Sequence, residues 1–478
     1  MLPSIISNEL EQAAKDAIST SFTITSDGFR NLINEFLSKR ENLFKGPYVS
    51  LSLPFKQGTG KNWFPEVALS FPPYSHQEKA FSRLSSANPR NTLVATGTGS
   101  GKTECFLLPI LDYCRQEILK GNRGIKAILI YPMNALATDQ SRRIANLISK
   151  TLSLSKIRAG LYIGSDDDIP ISAMTKDSVI TNKEALHKFP PDILLTNYKQ
   201  LDYLLIQPEV QGLWKSNSKD TLKYLVVDEF HTFDGAQGTD LACLIRRLRS
   251  RLKCLGDNLV CIGTSATLGN DNSSNQMLDY ASNIFESSFE LSSLIKEERI
   301  SPEDFFNTFT AFGDKDNGGL FALPLPSLNN SFELNPNNYK NASNYLIKQA
   351  NIWLGDTLQP PLSQDANNLD WRIELGWMLG TLPAVHNLVR QSKNTTSIDD
   401  LLARFSRQLG LGEKFPIEFR INLLSSLLAL ISHARRKVQL LNSKEVVVPW
   451  LDLRQQLWLR ELKRMVASVE IKPKLRHS

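Results

Sequence analysis

The pattern of apolar and polar positions divides the middle of the chain into short apolar runs that alternate with amphipathic stretches. The runs occupy residues 93–95, 125–131, 157–163, 192–196, 222–228 and 258–264. Stretches with helical spacing stand between several of them, at residues 134–150, 197–206 and 237–252. Strands that are apolar on both faces and joined by helices indicate a parallel sheet covered on both sides. Such α/β domains bind their ligands at the carboxyl ends of the strands.

Helical spacing also predominates on both sides of this α/β region, and it leads to a prediction of four domains. Residues 453–469 place their apolar side chains on one helical stripe and most basic side chains off it. The predicted domains are an accessory segment with helical stretches (1–70), the α/β domain (71–270), a mainly helical insertion (271–450) and a basic amphipathic helix that starts a further, missing region (451–478).

The first apolar run leads into a glycine-rich turn that ends in a lysine and a threonine. Its candidate phosphate-binding residues are Thr96, Gly97, Thr98, Gly99, Ser100, Gly101, Lys102 and Thr103. Glycines allow backbone N–H groups to converge on phosphate oxygens at a helix N-terminus. Lys102 adds a charge that reaches the β- and γ-phosphates, and the Thr103 hydroxyl is placed to bind Mg²⁺. Thr96 stands where the GxxxxGK[ST] pattern has its first glycine, and a loop that only turns the chain is the alternative.

The run at 222–228 ends in two adjacent carboxylates. Asp228 can hold Mg²⁺ through its waters, and Glu229 can accept a proton from the water that attacks the γ-phosphate. An acidic pair that serves only as a helix cap is the alternative. His231 could link the nucleotide site to a nucleic-acid site, although a lone histidine is more often structural.

Further polar residues lie near other predicted strand ends or shortly before the glycine-rich turn. Gln77 precedes Lys102 by 25 residues, and its amide can both donate to and accept from an adenine edge. The Ser265 and Thr267 hydroxyls follow the last run and can bond the acidic motif and transmit the nucleotide state. Asn134 and Thr196 lie where a sugar-phosphate backbone could run. Each signal is weak alone, because a helix cap or a plain turn explains it equally well.

Composition is that of an ordinary globular protein of about three folding units. The 478 residues are 41% hydrophobic and 22% charged, and no apolar run reaches the length of a membrane span. The N-terminus lacks the pattern of a signal peptide, so we expect a cytoplasmic location. The five cysteines include no CxxC pair and no histidine at ligand spacing. They are predicted to be reduced and mostly buried, without a disulfide or a metal cluster.

The net charge of +6 is concentrated near the C-terminus. Residues 435–478 contain 11 Lys/Arg against 4 Asp/Glu, a surplus of 7, which leaves residues 1–434 near minus one. A nucleic-acid footprint that composition alone can reveal would therefore be C-terminal. A solvated helix face is an equally good explanation of this charge.

The order of the motifs resembles that of superfamily 2 DExH/DEAD-type helicases, and within them the YprA-like group. The motifs are Gln77, ATGTGSGKT, YPMNALATDQ, LLTNY, VVDEFH and TSATLG. The stretch from Phe230 to Arg249 is similar to that of large bacterial helicases found beside phage-defence or DNA-modification genes. The resemblance covers residues 71–269 and implies a RecA-like P-loop domain that binds ATP and Mg²⁺. It further implies hydrolysis and coupling by Asp228, Glu229, His231, Ser265 and Thr267, and nucleic-acid contact near Asn134 and Thr196.

The chain departs from this family after residue 269. Such helicases need a second RecA-like lobe with an arginine-rich motif, whose arginines stabilise the transferring phosphate. Nothing in residues 270–478 resembles that motif. We therefore expect the chain to be the N-terminal portion of a longer helicase, with the second lobe in the missing part or supplied in trans, and we expect weak activity from the chain alone.

Three functional hypotheses remain at this point. The leading one is an ATP-dependent helicase or translocase, acting on DNA in preference to RNA by analogy with the family alone. The second is a non-catalytic nucleic-acid-binding or assembly module of a defence complex, which the basic C-terminal segment motivates. The third, a P-loop ATPase of unrelated mechanism, is disfavoured by the position of Gln77 and by the TSAT motif.

Overall fold

The computed structural model describes most of the chain, and the structural statements below concern the described residues only. These are residues 3–21, 35–67, 69, 71–85, 87–97, 99–164, 170–254, 258–265, 271–310, 326–392, 395–412, 415–439, 445–459, 465–467 and 475–477. The chain divides into two compact units, which we call the sheet unit (Phe55–Glu298) and the helical unit (Met1–Pro54 with Arg299–Ser478).

The helices and strands, in chain order, are as follows. The α-helices are α1 (Pro3–Ser21), α2 (Arg40–Leu43), α3 (Ser75–Leu84), α4 (Lys102–Leu119), α5 (Asn134–Lys150), α6 (Lys183–Lys188), α7 (Tyr198–Ile206), α8 (Gly235–Leu252), α9 (Asp271–Phe285), α10 (Pro302–Thr310), α11 (Ser331–Leu334), α12 (Ala342–Leu354), α13 (Leu369–Leu379), α14 (Pro383–Gln391), α15 (Ile398–Gln408) and α16 (Ile417–His433). The strands are β1 (Phe44–Ser52), β2 (Thr92–Ala95), β3 (Ala127–Tyr131), β4 (Ala159–Tyr162), β5 (Ile193–Asn197), β6 (Tyr224–Val227), β7 (Val260–Ser265), β8 (Leu294–Lys296), β9 (Thr396–Ser397), β10 (Arg435–Gln439), β11 (Glu445–Pro449), β12 (Asp452–Leu459), β13 (Met465–Ala467) and β14 (Leu475–His477). None of the described helices combines the length and apolarity needed to cross a membrane.

The sheet unit is built on a seven-stranded parallel sheet with the order β4-β5-β3-β6-β7-β2-β8. Every residue of β2, β3, β4, β6 and β7 is buried. Their side chains alternate between two apolar clusters: Ile128 and Ile130 belong to one, Ala127 and Leu129 to the other. A strand buried on both faces requires the uniformly apolar runs seen in the sequence. The predicted RecA-like α/β fold is therefore confirmed.

Parallel pairing brings the carboxyl ends of the strands to one edge of the sheet. Val227 pairs with Gly263, and Ala95 pairs with Ser265, so the residues that follow β2, β6 and β7 emerge side by side. Because β7 lies between β2 and β6, its last residues can contact the loops that follow both neighbours. The glycine-rich turn follows β2, the acidic pair follows β6, and the TSATLG motif begins at the carboxyl end of β7.

The sheet unit extends beyond the predicted boundary at residue 270. Helix α9 and strand β8 belong to it, and β8 pairs with β2 through Val94 and Ile295. Assigning residues 271–298 to a helical insertion was wrong, because a strand of three residues with a lysine at its end gives no clear period-two signal.

The helical unit has its apolar core around α16. Leu423, Leu427 and Leu430 are fully buried there, and the Trp353 indole of α12 donates a hydrogen bond of 2.8 Å to the Ser426 hydroxyl. The unit also contains a three-stranded antiparallel sheet with the order β12-β1-β9. Strand β1 thus pairs on both sides with strands from later in the chain. Of the segment predicted as a separate domain (1–70), residues 1–54 share one unit with residues 299–478, and residues 55–70 belong to the sheet unit.

The predicted basic amphipathic helix at 451–478 is wrong. Residues 452–459 form β12, which pairs antiparallel with β1 in a register that sets Leu453 opposite Leu51. Met465 and Val466 also lie in a strand, β13, while Leu462 and Val469 are outside the described residues. Leucines four residues apart share a face in a strand as well as in a helix, so spacing alone did not distinguish them, and pairing with β1 decided the outcome.

Candidate functional site

The glycine-rich turn joins β2 to α4 at the carboxyl edge of the sheet. Gly99 (φ 82°) and Gly101 (φ 76°) adopt the left-handed conformation that favours glycine. A Cβ on Gly101 would lie 2.3 Å from Nε2 of Gln77, so a larger residue does not fit in this arrangement. Lys102 opens the 18-residue helix α4, and the free N–H groups and dipole of a helix N-terminus attract anions.

The interior of the turn is held by hydroxyl groups. Thr96 and Ser100 are both fully buried, and the Ser100 hydroxyl donates to Oγ1 of Thr96 at 2.8 Å. The threonine that replaces the first glycine of the phosphate-loop pattern therefore braces the turn. Gly97 lies in the same turn, and its N–H donates to the Glu297 carboxylate at 2.8 Å. Thr98 lies outside the described residues.

Gln77 ties the start of α3 to this turn. Its amide oxygen accepts from the Tyr74 N–H at 2.9 Å, and its Nε2 donates to the Gly101 carbonyl at 3.1 Å. His76 adds a second link, with its Nε2 at 2.9 Å from the Ser100 carbonyl. Nε2 of Gln77 keeps one hydrogen and its amide oxygen keeps one lone pair, so this geometry permits the predicted adenine contact, which stays a prediction.

The acidic pair follows β6 and meets the turn across β7. The Lys102 ammonium donates to the Glu229 carboxylate at 2.8 Å and to the Ser265 carbonyl at 3.4 Å. Thr264 binds both acidic residues: its hydroxyl donates to Asp228 and accepts from the Glu229 N–H at 3.1 Å. The structure thus brings together the lysine, the two carboxylates and the end of β7, which the sequence separates by up to 163 residues.

Burial sets the electrostatics of this cluster. Desolvation raises the pKa of the Asp228 carboxyl above its ordinary value, and the Thr264 hydrogen bond opposes that shift. Burial also raises the pKa of the Tyr131 phenol well above its ordinary range, with the nearby Asp228 charge adding to the effect. A carboxylate that is costly to keep ionised gains from a nearby cation, which is the environment that a metal ligand needs.

The predicted coupling residues are placed in part. The Ser265 hydroxyl lies 3.3 Å from Nδ1 of His231, and the same nitrogen lies 3.5 Å from Oε2 of Glu229. His231 therefore contacts both Ser265 and Glu229, and the coupling role of these residues stays a prediction. Thr267 lies outside the described residues.

The residues at this edge fit a nucleotide and a magnesium ion. A turn with two left-handed glycines, a lysine at a helix N-terminus and a half-buried carboxylate match the charge of bound phosphate with its cation. Among the described residues, no group of three His, Cys, Asp or Glu side chains is arranged to hold a metal. A magnesium ion would therefore use Thr103 and Asp228 for few of its ligands, with phosphate oxygens and waters supplying the others.

Two contacts at this site were missed from the sequence. Thr264 is the residue that contacts both Asp228 and Glu229, and its hydroxyl at the end of a predicted strand was an available signal. Glu297 stands 200 residues from Gly97, directly after β8, and no sequence pattern marked it.

A cleft of about 580 Å³ opens at the carboxyl ends of β3, β4 and β5. It is lined by Pro132, Asn134, Tyr162, Gly164, Lys183, Asn197, Tyr198, Lys199, Gln200, Tyr203 and Gln237. Asn134, predicted as a nucleic-acid contact, is exposed at the start of α5, and its side-chain oxygen accepts from the Asn197 amide at 2.7 Å.

The prediction that the Thr196 side chain contacts nucleic acid is wrong. Thr196 is fully buried, and its hydroxyl donates to the Tyr162 carbonyl at 2.7 Å. Side chains alternate along β5, so Thr196 points to the same face as Leu194, which lies in the apolar cluster there. The next residue, Asn197, reaches the cleft instead.

Comparison with protein families supports a helicase domain. Residues 74–275 match the family model described as DEAD/DEAH box helicase. This range contains the glycine-rich turn, the acidic pair, Ser265 and the cleft.

Curated relatives match about two fifths to one half of the chain. Druantia protein DruE of Escherichia coli (strain UMEA 4076-1) is 25% identical over 54% of this chain and 20% of its own length. The uncharacterized ATP-dependent helicase MJ1574 of Methanocaldococcus jannaschii is 31% identical over 42% of this chain and 27% of its own. YprA of Bacillus subtilis, also an uncharacterized ATP-dependent helicase, is 31% identical over 41% and 23%. The chain thus spans about a fifth to a quarter of the length of these relatives.

Among solved structures, the DUF1998 helicase MrfA bound to DNA is 26% identical to this chain. The match has a TM-score of 0.41 and covers 52% of this chain and 30% of that one.

Proposed function

We propose a function from one premise: the chain carries a DEAD/DEAH box helicase domain of superfamily 2 at residues 74–275. In this proposal the sheet unit is the first motor lobe of an ATP-dependent nucleic-acid helicase or translocase, and it binds ATP with Mg²⁺. The observation that carries the proposal is the 2.8 Å bond between Lys102 and Glu229 beside the half-buried Asp228.

The ion pair defines what each group does during hydrolysis. Lys102 exchanges its bond to Glu229 for a phosphate oxygen of ATP, which leaves the carboxylate able to accept a proton. A water then forms a bond to the γ-phosphorus, the bond to the β–γ bridging oxygen breaks, and the proton of the water passes to Glu229. The exchange therefore couples nucleotide binding to activation of the base.

Magnesium would contribute charge neutralisation of the phosphates. Thr103 and Asp228 are the protein groups that would hold it. Thr264 keeps Asp228 oriented through its hydroxyl, and the same oxygen fixes the backbone of Glu229. Loss of Thr264 would therefore disturb metal binding and base position together.

In this proposal, hydrolysis also needs groups that the sheet unit does not supply. A second RecA-like lobe, in the same polypeptide or in trans, would contribute the arginines that stabilise the transferring phosphate. Nucleic acid would run past Asn134 and Asn197 at the cleft, with DNA favoured over RNA because of the family resemblance alone. The cytoplasmic location stays a prediction.

The test is ATP turnover by the full chain with and without single-stranded DNA. Glu229→Gln should lower stimulated turnover roughly 100- to 10 000-fold, as expected for removal of a general base, and Lys102→Ala should do likewise. The matched controls are Lys348→Ala and Glu333→Gln, which break an ion pair of the same 2.8 Å length in the helical unit and should leave turnover unchanged. Turnover indifferent to both site variants would refute the motor function. Fast turnover by the chain alone would refute the need for a second lobe.

The alternative of a non-catalytic nucleic-acid-binding module rests on the basic residues of the C-terminal segment. Two of them bind partners within their own unit: Arg454 contacts Asp452 at 2.8 Å, and Arg435 donates to the carbonyls of residues 432–434. Charges that are already partnered attract phosphates less than a free basic helix would. Deleting residues 435–478 without changing the salt dependence of DNA binding would remove this alternative.

A further inference from the structure

The cleft beside β5 has the lining of a site for a nucleotide rather than for a phosphate alone. Three tyrosines and four carboxamide side chains line it, together with two lysines: Tyr162, Tyr198, Tyr203, Asn134, Asn197, Gln200, Gln237, Lys183 and Lys199. Two charged side chains are among the described residues that line the cleft, Lys183 and Lys199, and both are positively charged. Its volume of about 580 Å³ lies within the usual range for small-ligand sites.

Two of the tyrosines are fixed by their neighbours. The Tyr162 ring is buried and stacks on His187 at a centroid separation of 5.7 Å, and its hydroxyl lies 3.1 Å from Nε2 of that histidine. Tyr198 packs edge-on against Phe233 at 5.6 Å. These rings form a rigid floor and wall.

Tyr203 differs from them because it is 45% exposed although it lies in the cleft. It stands on α7, four residues after Lys199 and three after Gln200, so helical geometry places all three side chains on neighbouring positions of one face. An exposed ring beside a lysine and an amide is the combination that binds single-stranded nucleic acid, where bases stack on aromatic side chains.

The same helix places an anion site near this ring. Helix α7 begins at the cleft with Asn197 as its N-cap, whose side chain accepts from the Gln200 N–H. Lys199 lies in the first turn, so positive charge and free N–H groups meet there. The ring of Tyr203 follows about one turn along the helix, roughly 5 Å of rise. A phosphate at the helix start and a base on the ring would therefore belong to one nucleotide or to two neighbours.

We propose that this cleft is a nucleobase-binding subsite, in which an unstacked base of a single strand lies on Tyr203 while Lys199 and the start of α7 hold its phosphate. The subsite deepens the proposed function, since it lies on the path assigned to the nucleic acid. The carboxamides of Gln200 and Gln237 supply donors and acceptors for base edges, and any base offers a face for stacking. Base stacking on Tyr203 would add to the affinity that backbone contacts supply.

The experiment compares two single-stranded DNA probes of equal length with the full chain. One is an oligothymidylate and the other has the same sugar-phosphate backbone without bases, and fluorescence anisotropy gives both dissociation constants. The wild-type chain should bind the base-bearing probe more tightly. Tyr203→Ala should weaken binding of that probe roughly 5- to 100-fold, and it should leave the abasic probe unchanged. Tyr203→Phe, which keeps the ring, should bind both probes as the wild type does.

Two control variants separate the base from the backbone. Lys199→Ala should weaken binding of both probes. It should also reduce the slope of log K against log salt concentration by about 0.7, because it removes one phosphate contact. Phe189 is an exposed ring of the sheet unit that does not line the cleft, so Phe189→Ala should leave the dissociation constants of both probes unchanged.

The outcomes distinguish this subsite from the motor function. The subsite would be overturned if the wild type bound both probes equally tightly, or if Tyr203→Ala lowered the affinity for both probes equally. Lys102→Ala should abolish ATP turnover and retain the preference for bases. Absence of nucleic-acid binding by the wild-type chain would overturn the nucleic-acid part of the proposed function as well.

Discussion

The sheet unit and the helical unit each contain a lysine–glutamate ion pair with an N–O separation of 2.8 Å, and the two pairs differ in their surroundings. Lys102 and Glu229 lie at the ends of parallel strands, where Asp228 and the last residues of β7 converge on them. Lys348 and Glu333 join α12 to α11, with exposed side-chain fractions of 44% and 33%. An ion pair alone therefore does not indicate a functional site. Further polar groups that converge on the pair, as they do at Lys102 and Glu229, do indicate one.

Buried ionisable groups show the same contrast. In the sheet unit, burial raises the pKa of Asp228, a group at the proposed site. In the helical unit, burial lowers the pKa of His433 to about 4, with Arg372 and Arg435 adding to the shift. The His433 ring bonds the Ala366 carbonyl at 2.5 Å and so fixes the packing of a core. Burial thus disfavours the ionised carboxylate of Asp228 in the sheet unit and the charged ring of His433 in the helical unit.

Acidification should therefore change the contributions of these two groups to stability in opposite directions. The folded pKa of His433 lies below its ordinary 6.5, so its contribution to stability is present above pH 6.5 and is lost as pH falls toward about 4. The helical unit should lose roughly 2 kcal/mol near pH 5. The folded pKa of Asp228 lies above its ordinary 3.8, so the cost of its ionised form in the sheet unit should be relieved as pH falls through that raised value.

Hydrogen exchange with mass spectrometry, measured from pH 7 to pH 4.5 and corrected for intrinsic rates, resolves the two units. His433→Gln should flatten the acid loss in the helical unit, and Asp228→Asn should stabilise the sheet unit at neutral pH. Equal pH dependence in both units, unchanged by either substitution, would contradict this assignment of buried charges.

A smaller effect should come from Glu297, which holds the phosphate loop from the end of β8. Glu297→Ala leaves the Gly97 N–H without this acceptor, so KM for ATP should rise roughly tenfold while kcat changes less. Glu297→Gln keeps an acceptor oxygen and should stay within about threefold of the wild-type KM. Steady-state ATP turnover measures both. A lower KM in Glu297→Ala would show that the carboxylate repels phosphate, and the positioning role would then be wrong.

The contrast between the units also separates what the sequence could predict from what it could not. The strands of the sheet unit and the lysine–carboxylate cluster follow from apolar runs and from motifs at their carboxyl ends, which are local signals. Strand β12 depends on pairing with β1, about 400 residues earlier in the chain, and its spacing fitted a helix equally well.

The errors inside the sheet unit have similar causes. Thr196 was assigned to the nucleic acid without the period-two alternation that turns its side chain into the core. Glu297 reaches Gly97 only because β8 pairs beside β2, and no local pattern reveals that neighbour. Long-range pairing therefore marks the limit of what the pattern of one chain predicts.

Isothermal titration calorimetry of ATP with Mg²⁺ tests most directly whether a nucleotide binds where Lys102 meets Glu229. The wild-type chain should bind ATP, and Lys102→Ala should weaken binding at least tenfold because it removes a charge-assisted contact to phosphate. Lys348→Ala, the matched lysine of the helical unit, should bind as the wild type does. Unchanged affinity in Lys102→Ala would contradict the account.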